Sequence, residues 1–159
     1  MAHDFELRPM TPDDLAAAID VGRLLPEWFN TPGLEQMTVD LHNQIGAVAE
    51  VNDDVVGFVT WLSRAGIGEI GWIGVAPDHH RRGIGAHLLA FAEDRLQSSG
   101  ATEVQVETLG ESVDYEPYER TRAFYRAAGF RYLRSEMTDN PGMPESLWLN
   151  KPLSPPVGN

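Results

Sequence analysis

The pattern of hydrophobic and polar positions divides the chain into short strands and amphipathic helices. Runs of β-branched residues and apolar–polar alternation, interrupted by turn residues such as Asn52-Asp53-Asp54, are typical of strands. On this basis we predict strands at residues 5–8, 44–51, 55–62, 67–76, 102–109, 130–137 and 146–150.

Four helices are predicted between these strands. Residues 83–99 carry the clearest helical repeat of apolar side chains, and further helices are predicted at 34–42 and 117–128. The first helix begins after Thr11, its N-cap, with Pro12 at the first helical position. The resulting order, β-α-α-β-β-β-α-β-α-β-β, predicts an α+β fold in which one mixed α/β sheet carries the helices.

The length and composition indicate one globular domain. The 159 residues fit a single domain, predicted at 1–153, followed by a flexible C-terminal tail at 154–159. The sequence has neither an apolar run of about 18 residues nor a signal-peptide pattern at its start, so no membrane span is expected. It has no cysteine, which excludes disulfides, thiolate metal ligands and a cysteine nucleophile. We therefore expect a cytoplasmic protein.

The chain is strongly acidic, with a formal net charge of -12 at pH 7. Nucleic-acid phosphates and anionic membranes attract basic surfaces, so neither is expected as a partner. A cationic substrate such as an amine is compatible with this charge. An acidic surface that serves solubility alone would have the same composition.

A strand, a short turn and a helix follow one another over residues 70–86, and the turn is basic and rich in glycine. Gly83 and Gly85 allow backbone N–H groups to approach a ligand, and a helix start presents unpaired N–H groups to an anion. Arg81 and Arg82 add positive charge. The segment therefore predicts a site for a pyrophosphate, the alternative being a solvated turn with two arginines.

Other phosphate, nucleophile and metal motifs fit the sequence less well. The patterns GxxxxGK[ST] and GxSxG do not occur. Residues 66–71 match GxGxxG, but a strand pattern follows where a dinucleotide site needs a helix. The histidines lack the spacing of metal ligands, so no metal site is expected; they are His3, His42, His79, His80 and His87.

Three segments together resemble the GNAT superfamily of N-acetyltransferases. VAP at 75–77 and HRRGIG at 80–85 resemble its acyl-CoA signature, a strand ending in V-x-P and then [QR]-x-x-G-x-[GA] opening a helix. The opening LRPMTPDDL resembles the family's first strand and helix, and AFYRAAGF at 123–130 resembles its FYxxxGF element. The resemblance implies the GNAT-like acyl-CoA N-acyltransferase fold, with a central, mostly antiparallel sheet flanked by helices.

The resemblance also implies direct transfer of an acetyl group from acetyl-CoA, the co-substrate, to an amine in a ternary complex. It assigns the coenzyme arm to a strand edge and the pyrophosphate to the helix start. An N–H near Ile73 would polarise the acetyl carbonyl, as an oxyanion hole does. The coenzyme-binding residues implied in this way are Ile73, Gly74, Val75, His80, Arg81, Arg82, Gly83, Ile84, Gly85 and Ala86.

The sequence departs from the family pattern at three positions. His80 stands where glutamine or arginine is usual, with Arg81 beside it to supply charge. Tyr118 and Thr121 stand where the family often has asparagine and alanine, seven and four residues before the tyrosine of the FY pair. Any contact of that asparagine with the coenzyme is therefore not carried over.

Tyr125 and Glu69 are the catalytic residues that the resemblance implies. Tyr125 matches the family's tyrosine near the departing sulfur and is the candidate general acid; the alternative is that it only packs against the coenzyme. Glu69 lies six residues before Val75, the spacing of the base in the histone-acetylating branch of the family. Glu107 and a water chain are the competing candidates for the base.

Two classes of function are consistent with the sequence. The first is an acetyltransferase for a primary amine of a small molecule, with a peptide or protein amine as second choice. The second is a catalytically silent acyl-CoA-binding sensor or scaffold. Tyr125 and Glu69 favour the enzyme, because binding alone requires neither. A homodimer formed through the C-terminal strands is a further expectation.

Two other segments have an open role. Trp28 and Phe29 are either core residues or a wall of the substrate pocket. The loop at 111–119 holds four carboxylates and two tyrosines, and it either attracts an amine or is an ordinary solvated loop.

Overall fold

The order of strands and helices agrees with the order predicted from the sequence. The structure is a computed structural model and describes residues 4–154, so His3 and the predicted tail beyond Ser154 lie outside it. Its elements are β1 (Glu6–Pro9), α1 (Leu15–Arg23), α2 (Thr31–Leu41), β2 (Ile45–Val51), β3 (Asp54–Arg64), β4 (Ile67–Val75), α3 (Ile84–Ser98), β5 (Glu103–Leu109), α4 (Glu116–Ala127), β6 (Arg131–Met137) and β7 (Glu145–Pro152). Short 3₁₀ turns, Pro12–Asp14 and Pro77–His79, precede α1 and α3.

All seven strands form one mixed sheet in the order β1-β2-β3-β4-β5-β7-β6. Every neighbouring pair is antiparallel except β4 and β5, which are parallel because the α3 crossover joins them. The predicted α+β fold with a mostly antiparallel sheet is therefore confirmed.

The parallel pair opens along its length. β4 and β5 are paired only where Ile67, Gly68 and Glu69 lie beside residues 103–105. Beyond this point β4 continues against β3 and β5 continues against β7. The two strands therefore diverge and leave a gap in the middle of the sheet.

The helices cover the two faces of the sheet as two separate cores. Side chains alternate between the faces of a strand. Val59 of β3 belongs to the core that includes Leu88 of α3 and Tyr125 of α4. Its neighbour Phe58 belongs to the other core, with Val21 of α1 and Met37 of α2. One face of the gap is thus bounded by α3 and α4, and the other by α1 and α2.

Helix α2 begins at Thr31, three residues before the predicted start at residue 34, so that boundary was wrong. The side chain of Asn30 caps the helix by accepting a hydrogen bond from the N–H of Gly33 at 2.9 Å. Pro32 is tolerated in the first turn, where its missing N–H would have no partner within the helix.

Candidate active site

A cavity of about 800 Å³ occupies the gap between β4 and β5. Its walls come from the two diverging strands, the turn before α3, one side of α4, and the segment that joins α1 to α2. Both faces of the sheet therefore contribute to one cavity, and a ligand in it would contact residues from distant parts of the chain.

The edge of β4 that faces the gap carries backbone groups without a strand partner. The N–H of Ala76 donates to the carbonyl of Val56 at 2.8 Å, and the register continues unshifted to Ile73. Hydrogen-bonded and non-hydrogen-bonded pairs alternate in an antiparallel ladder. The N–H and C=O groups of Ile73 and Val75 therefore point away from β3, and an extended ligand can pair with them as a strand would.

His80 already contacts one of these groups. Its Nε2 lies 2.6 Å from the carbonyl oxygen of Val75, and its ring meets the indole of Trp28 edge-on. An occupant that pairs with the Val75 carbonyl would have to displace this imidazole. The backbone groups of Ile73 are not covered in this way.

The turn between β4 and α3 presents backbone N–H groups to the cavity. Arg81 and Gly83 have left-handed φ angles of 63° and 80°, and Gly83 is the N-cap of α3. Ile84, Gly85 and Ala86, the first residues of α3, line the cavity. Their N–H groups have no acceptor within the helix, so this end of the cavity is suited to an anion.

The two arginines of this turn point to different sides. Arg81 lines the cavity. Arg82 donates to Nδ1 of His79 at 2.7 Å and lies 3.4 Å from Oδ2 of Asp4, in a separate pocket. Arg82 is the one predicted coenzyme-binding residue that does not line the cavity. A contact between Arg82 and the coenzyme stays a prediction.

A bulge interrupts the pairing of β3 and β4 beside the gap. The N–H of Trp72 donates to Oγ1 of Thr60 at 3.0 Å, and the Thr60 hydroxyl donates to Oε1 of Gln44 at 2.7 Å. A Cβ at Gly71 would lie 2.1 Å from the same Gln44 oxygen, so only glycine admits this amide to the cavity wall. No role was predicted for Gln44 or Gly71 from the sequence, although a glycine inside a strand is a known signal of a bulge.

Glu69 and Glu107 lie on the face of the sheet that packs against α1 and α2. Their neighbours Ile70 and Val106 belong to the core on the opposite face. Burial of the Glu69 carboxyl, together with the nearby charge of Glu107, raises its pKa. Glu107 accepts a hydrogen bond from the Ser146 hydroxyl at 2.5 Å. A raised pKa makes Glu69 a stronger base than an exposed glutamate.

A third carboxylate, Asp40 of α2, lines the cavity together with Glu69 and Glu107. Its Oδ2 accepts a hydrogen bond from the indole Nε1 of Trp72 at 2.9 Å, and its Oδ1 accepts one from Gln36 at 2.9 Å. Asp40 was not predicted as a site residue from the sequence. Gln36 and Asp40, four residues apart on α2, are only a weak sequence signal of this site. The indole that orients the carboxylate belongs to Trp72, which lies far away in the sequence on β4.

Tyr125 reaches the cavity from α4, on the face of the sheet opposite to Glu69. Its ring packs edge-on against Phe124 and Phe130, and the residue is 4% exposed. Burial, and to a smaller extent the neighbouring Tyr118, raises the pKa of its hydroxyl far above the ordinary value of 10. The phenol is therefore protonated at neutral pH and can donate a hydrogen bond or a proton.

Trp28 connects the α1–α2 segment to α4 across the cavity. Its indole Nε1 donates to the carbonyl of Pro117 at 3.1 Å and to Oγ1 of Thr121 at 3.0 Å. The Tyr118 hydroxyl donates to the carbonyl of Trp28 at 3.1 Å. Tyr118 and Thr121, which stand where the family often has asparagine and alanine, thus both form hydrogen bonds with Trp28. Trp28 and Phe29 both line the cavity, and Phe29 is also a core residue.

The acidic loop before α4 contacts the cavity only at its helical end, among residues 4–154. Asp114 and Glu116 are not among the cavity walls. The Tyr115 hydroxyl donates to a backbone carbonyl of the α1–α2 segment at 2.8 Å, and Glu116 pairs with Arg120 at 2.9 Å. Whether this loop attracts an amine stays a prediction.

The fold is similar to those of several solved acetyltransferase-family structures. A GNAT-family protein from Desulfovibrio desulfuricans has a TM-score of 0.83 at 22% identity, over 94% of this chain and 99% of that one. The ribosomal-protein-S18-alanine N-acetyltransferase from Escherichia coli has a TM-score of 0.76 at 17% identity, over 98% and 97%. An aminoglycoside 6'-N-acetyltransferase complexed with coenzyme A has a TM-score of 0.74 at 18% identity, over 96% of this chain and 99% of that one. At these identities the likeness shows the fold.

The sequence itself matches the family described as the acetyltransferase (GNAT) domain over residues 42–132, more than half of the chain. No match was found among curated proteins. The chain belongs to the GNAT acetyltransferase family. It is therefore an N-acetyltransferase by family, and the predicted family, fold and enzyme class are confirmed.

Two features of other protein classes are absent from residues 4–154. No helix in this range is long and apolar enough to cross a membrane. No group of three or more histidine, aspartate or glutamate side chains in the same range is arranged to hold a metal ion.

Proposed function

We propose that this protein transfers the acetyl group of acetyl-CoA directly to a primary amine of a small molecule. The observation that carries the proposal is that Glu69 and Tyr125 line one cavity from opposite faces of the sheet. A base on one face can take a proton from the amine while an acid on the other face gives one to the leaving sulfur. Both substrates can then meet in the gap.

Acetyl-CoA fits the donor side of this cavity. The coenzyme arm is an extended chain with amide groups, and Ile73 and Val75 offer backbone groups without a strand partner along β4. At the Val75 carbonyl the arm would take the place of the His80 imidazole. The pyrophosphate is an anion, and the N–H groups of residues 84–86 with the Arg81 guanidinium suit an anion. The aminoglycoside 6'-N-acetyltransferase of similar fold is complexed with coenzyme A, which supports the same donor.

The proposed reaction forms one C–N bond and breaks one C–S bond. Glu69, directly or through water, accepts the amine proton, and the nitrogen lone pair attacks the thioester carbon. The Ile73 N–H donates to the carbonyl oxygen as its negative charge grows. The Tyr125 hydroxyl gives its proton to the sulfur as the C–S bond breaks, and its phenolate regains a proton from the nitrogen, directly or through water. The products are an amide and a thiol, and the proton on Glu69 returns to solvent. The raised pKa of Glu69 supports its role as the base. The raised pKa of Tyr125 keeps its hydroxyl protonated until the sulfur leaves.

A small cationic amine fits the acceptor side. Three carboxylates lie in the walls of the cavity, those of Asp40, Glu69 and Glu107, and they attract a positive charge. Because the Glu69 carboxyl is partly buried, an amine small enough to enter the cavity can reach it. A peptide or protein amine is the alternative. Proteins named for a ribosomal-protein substrate and for an aminoglycoside substrate share the fold, so the fold does not separate these acceptors.

Thiol release from acetyl-CoA, measured across a panel of small amines and of peptides with free N-termini, tests the proposal. We expect turnover with small primary amines and initial-rate patterns of a ternary-complex mechanism. Turnover with peptides alone would keep the enzyme and overturn the acceptor class. Tight binding of coenzyme A without turnover on any amine would favour the silent acyl-CoA-binding sensor instead.

A further inference from the structure

Thr108 of β5 carries an unpaired hydroxyl deep in the protein. Within residues 4–154, its Oγ1 is the one fully buried side-chain nitrogen or oxygen without a hydrogen-bond partner. The residue is only 3% exposed. Folding therefore removes this hydroxyl from water and offers no replacement, which is unfavourable and rare in native structures. Such a group needs an explanation.

The position of Thr108 suggests where the missing partner comes from. Thr108 lines the cavity in the gap. Alternation along β5 puts it on the same face as Val104 and Val106, which belong to the core beside α3 and α4. Tyr125 belongs to that core and lines the same cavity, whereas Glu107 faces the opposite side. The unpaired hydroxyl thus lies on the side of the candidate acid.

We propose that Thr108 is a binding residue for the acyl donor, whose hydroxyl forms a hydrogen bond with a polar group of the coenzyme arm where that arm passes Tyr125. The inference rests on the proposed function. A threonine hydroxyl can donate one hydrogen bond and accept two. The amide and thioester groups of the arm offer both donors and acceptors, so binding supplies the partner that the free protein lacks.

A valine at this position would have almost the same shape and would continue the apolar row of Val104 and Val106. Threonine differs from it only in the hydroxyl. The free protein gains nothing from that group, because it has no partner there among residues 4–154. The benefit of the hydroxyl therefore belongs to the complex.

Thr108→Val tests this, because it removes the hydroxyl and keeps the β-branched shape. We expect the free variant to melt about 2–4 °C higher than the wild type, since no hydrogen bond is lost and an unpaired group is removed. We expect the dissociation constants of coenzyme A and acetyl-CoA, measured by calorimetry, to rise roughly 5–10-fold, the effect of one neutral hydrogen bond. The KM for the amine should not change.

Thr60→Val is the matched control for stability. Thr60 is also a fully buried strand threonine, but its hydroxyl is bonded to Gln44 and to the N–H of Trp72. Its loss should therefore lower the melting temperature, the opposite of the effect expected for Thr108. Thr108→Ser keeps the hydroxyl and should bind coenzyme A with nearly wild-type affinity.

Two outcomes would overturn the inference. One is a Thr108→Val protein that binds coenzyme A as the wild type does, or that changes only the KM for the amine. The other is a loss of stability in the free variant, of which failure to fold is the extreme case. A wild-type protein that binds no coenzyme A would instead contradict the proposed function itself.

Discussion

Glu69 is the last residue of β4 that pairs with β5, and Tyr125 lines the same cavity from the other side of the sheet. The carboxylate therefore lies at the vertex of the gap, where the strands begin to diverge. The phenol lies among the α3 and α4 side chains. When the two substrates meet between them, the amine can lose a proton to Glu69 and the sulfur can gain one from Tyr125. The two residues do not need to contact each other.

The role of Glu69 predicts a specific pH dependence. Only the ionised carboxylate accepts a proton, so activity falls as pH drops through its pKa. Burial and the charge of Glu107 raise that pKa above the ordinary value, and the acidic limb of the kcat/KM profile should lie correspondingly high. We expect Glu69→Gln to lower kcat roughly 10²-fold or more and to remove this limb.

Glu107→Gln is the informative companion variant. It removes the negative charge that helps to raise the pKa of Glu69, so the acidic limb should move to lower pH and persist. If Glu107→Gln abolished the limb and Glu69→Gln did not, Glu107 would be the base.

Tyr125 is expected to act on the leaving sulfur. Tyr125→Phe keeps the edge-on contacts with Phe124 and Phe130, and it removes only the proton donor. We therefore expect kcat to fall roughly 10²-fold while the dissociation constant of coenzyme A is unchanged. Tyr132→Phe, on the exposed edge strand and outside the cavity, should leave both constants as they are. Weaker coenzyme binding at unchanged kcat would reduce Tyr125 to a packing residue.

Much of this architecture could be predicted from the sequence, because its signals are local. The helix predicted at 83–99 was found at Ile84–Ser98, since its apolar repeat is also its buried face. The proposed coenzyme side of the cavity follows a continuous motif from β4 into α3. The start of α2 was misplaced because Pro32 and Gly33 were interpreted as a break, whereas the capping side chain of Asn30 carries them into the helix.

The proposed acceptor side was less predictable, because its residues meet only in the fold. The Asp40 carboxylate is oriented by the Trp72 indole, 32 residues away in the sequence. Gln44 is placed in the cavity wall by its contacts with Thr60 and Gly71. No sequence pattern shows that the hydroxyl of Thr108 is buried without a partner. Such facts depend on which faces of the strands are covered, and a linear motif does not contain them.

A substitution at Gly85 is expected to affect coenzyme binding and protein stability in different ways. A Cβ at this position would lie 3.5 Å from the Phe124 ring, an ordinary contact, and alanine is a better helix former than glycine. We therefore expect Gly85→Ala to keep or raise the melting temperature. The same methyl group would occupy the space between α3 and α4 beside the N–H groups suited to pyrophosphate, and coenzyme A affinity should fall roughly tenfold or more.

Gly100 provides the contrasting control. It follows α3 with a φ of 100°, and no neighbouring atom in the described part of the chain, residues 4–154, lies within 4 Å of the position that a Cβ would take. Alanine there therefore meets backbone strain alone. Gly100→Ala should lower the melting temperature and leave coenzyme A affinity unchanged. Equal affinities of the Gly85→Ala and wild-type proteins would exclude the helix start as the pyrophosphate site.

Asp14 links the first turn of the chain to β1 and makes stability depend on pH. Arg8 holds its carboxylate with two hydrogen bonds of 2.7 Å, and the N–H of Thr11 adds another. These contacts, the Arg8 hydrogen bonds first, lower the pKa of Asp14 from 3.8 to about 2. Because the folded pKa lies below the unfolded one, the carboxylate stabilises the fold above about pH 4, and this contribution is lost as pH falls towards about 2.

Asp14→Asn should therefore lower the free energy of unfolding by roughly 1 kcal/mol at neutral pH, less than the full pKa shift implies because Arg8 is partly exposed. Urea denaturation of both proteins at several pH values measures this difference, which should shrink as pH falls from about 4 to about 2. Asp20→Asn breaks the exposed pair with Arg23 and should change little at any pH. A difference for Asp14→Asn that stays constant down to about pH 2 would mean that the asparagine acts through packing and not through the lost charge.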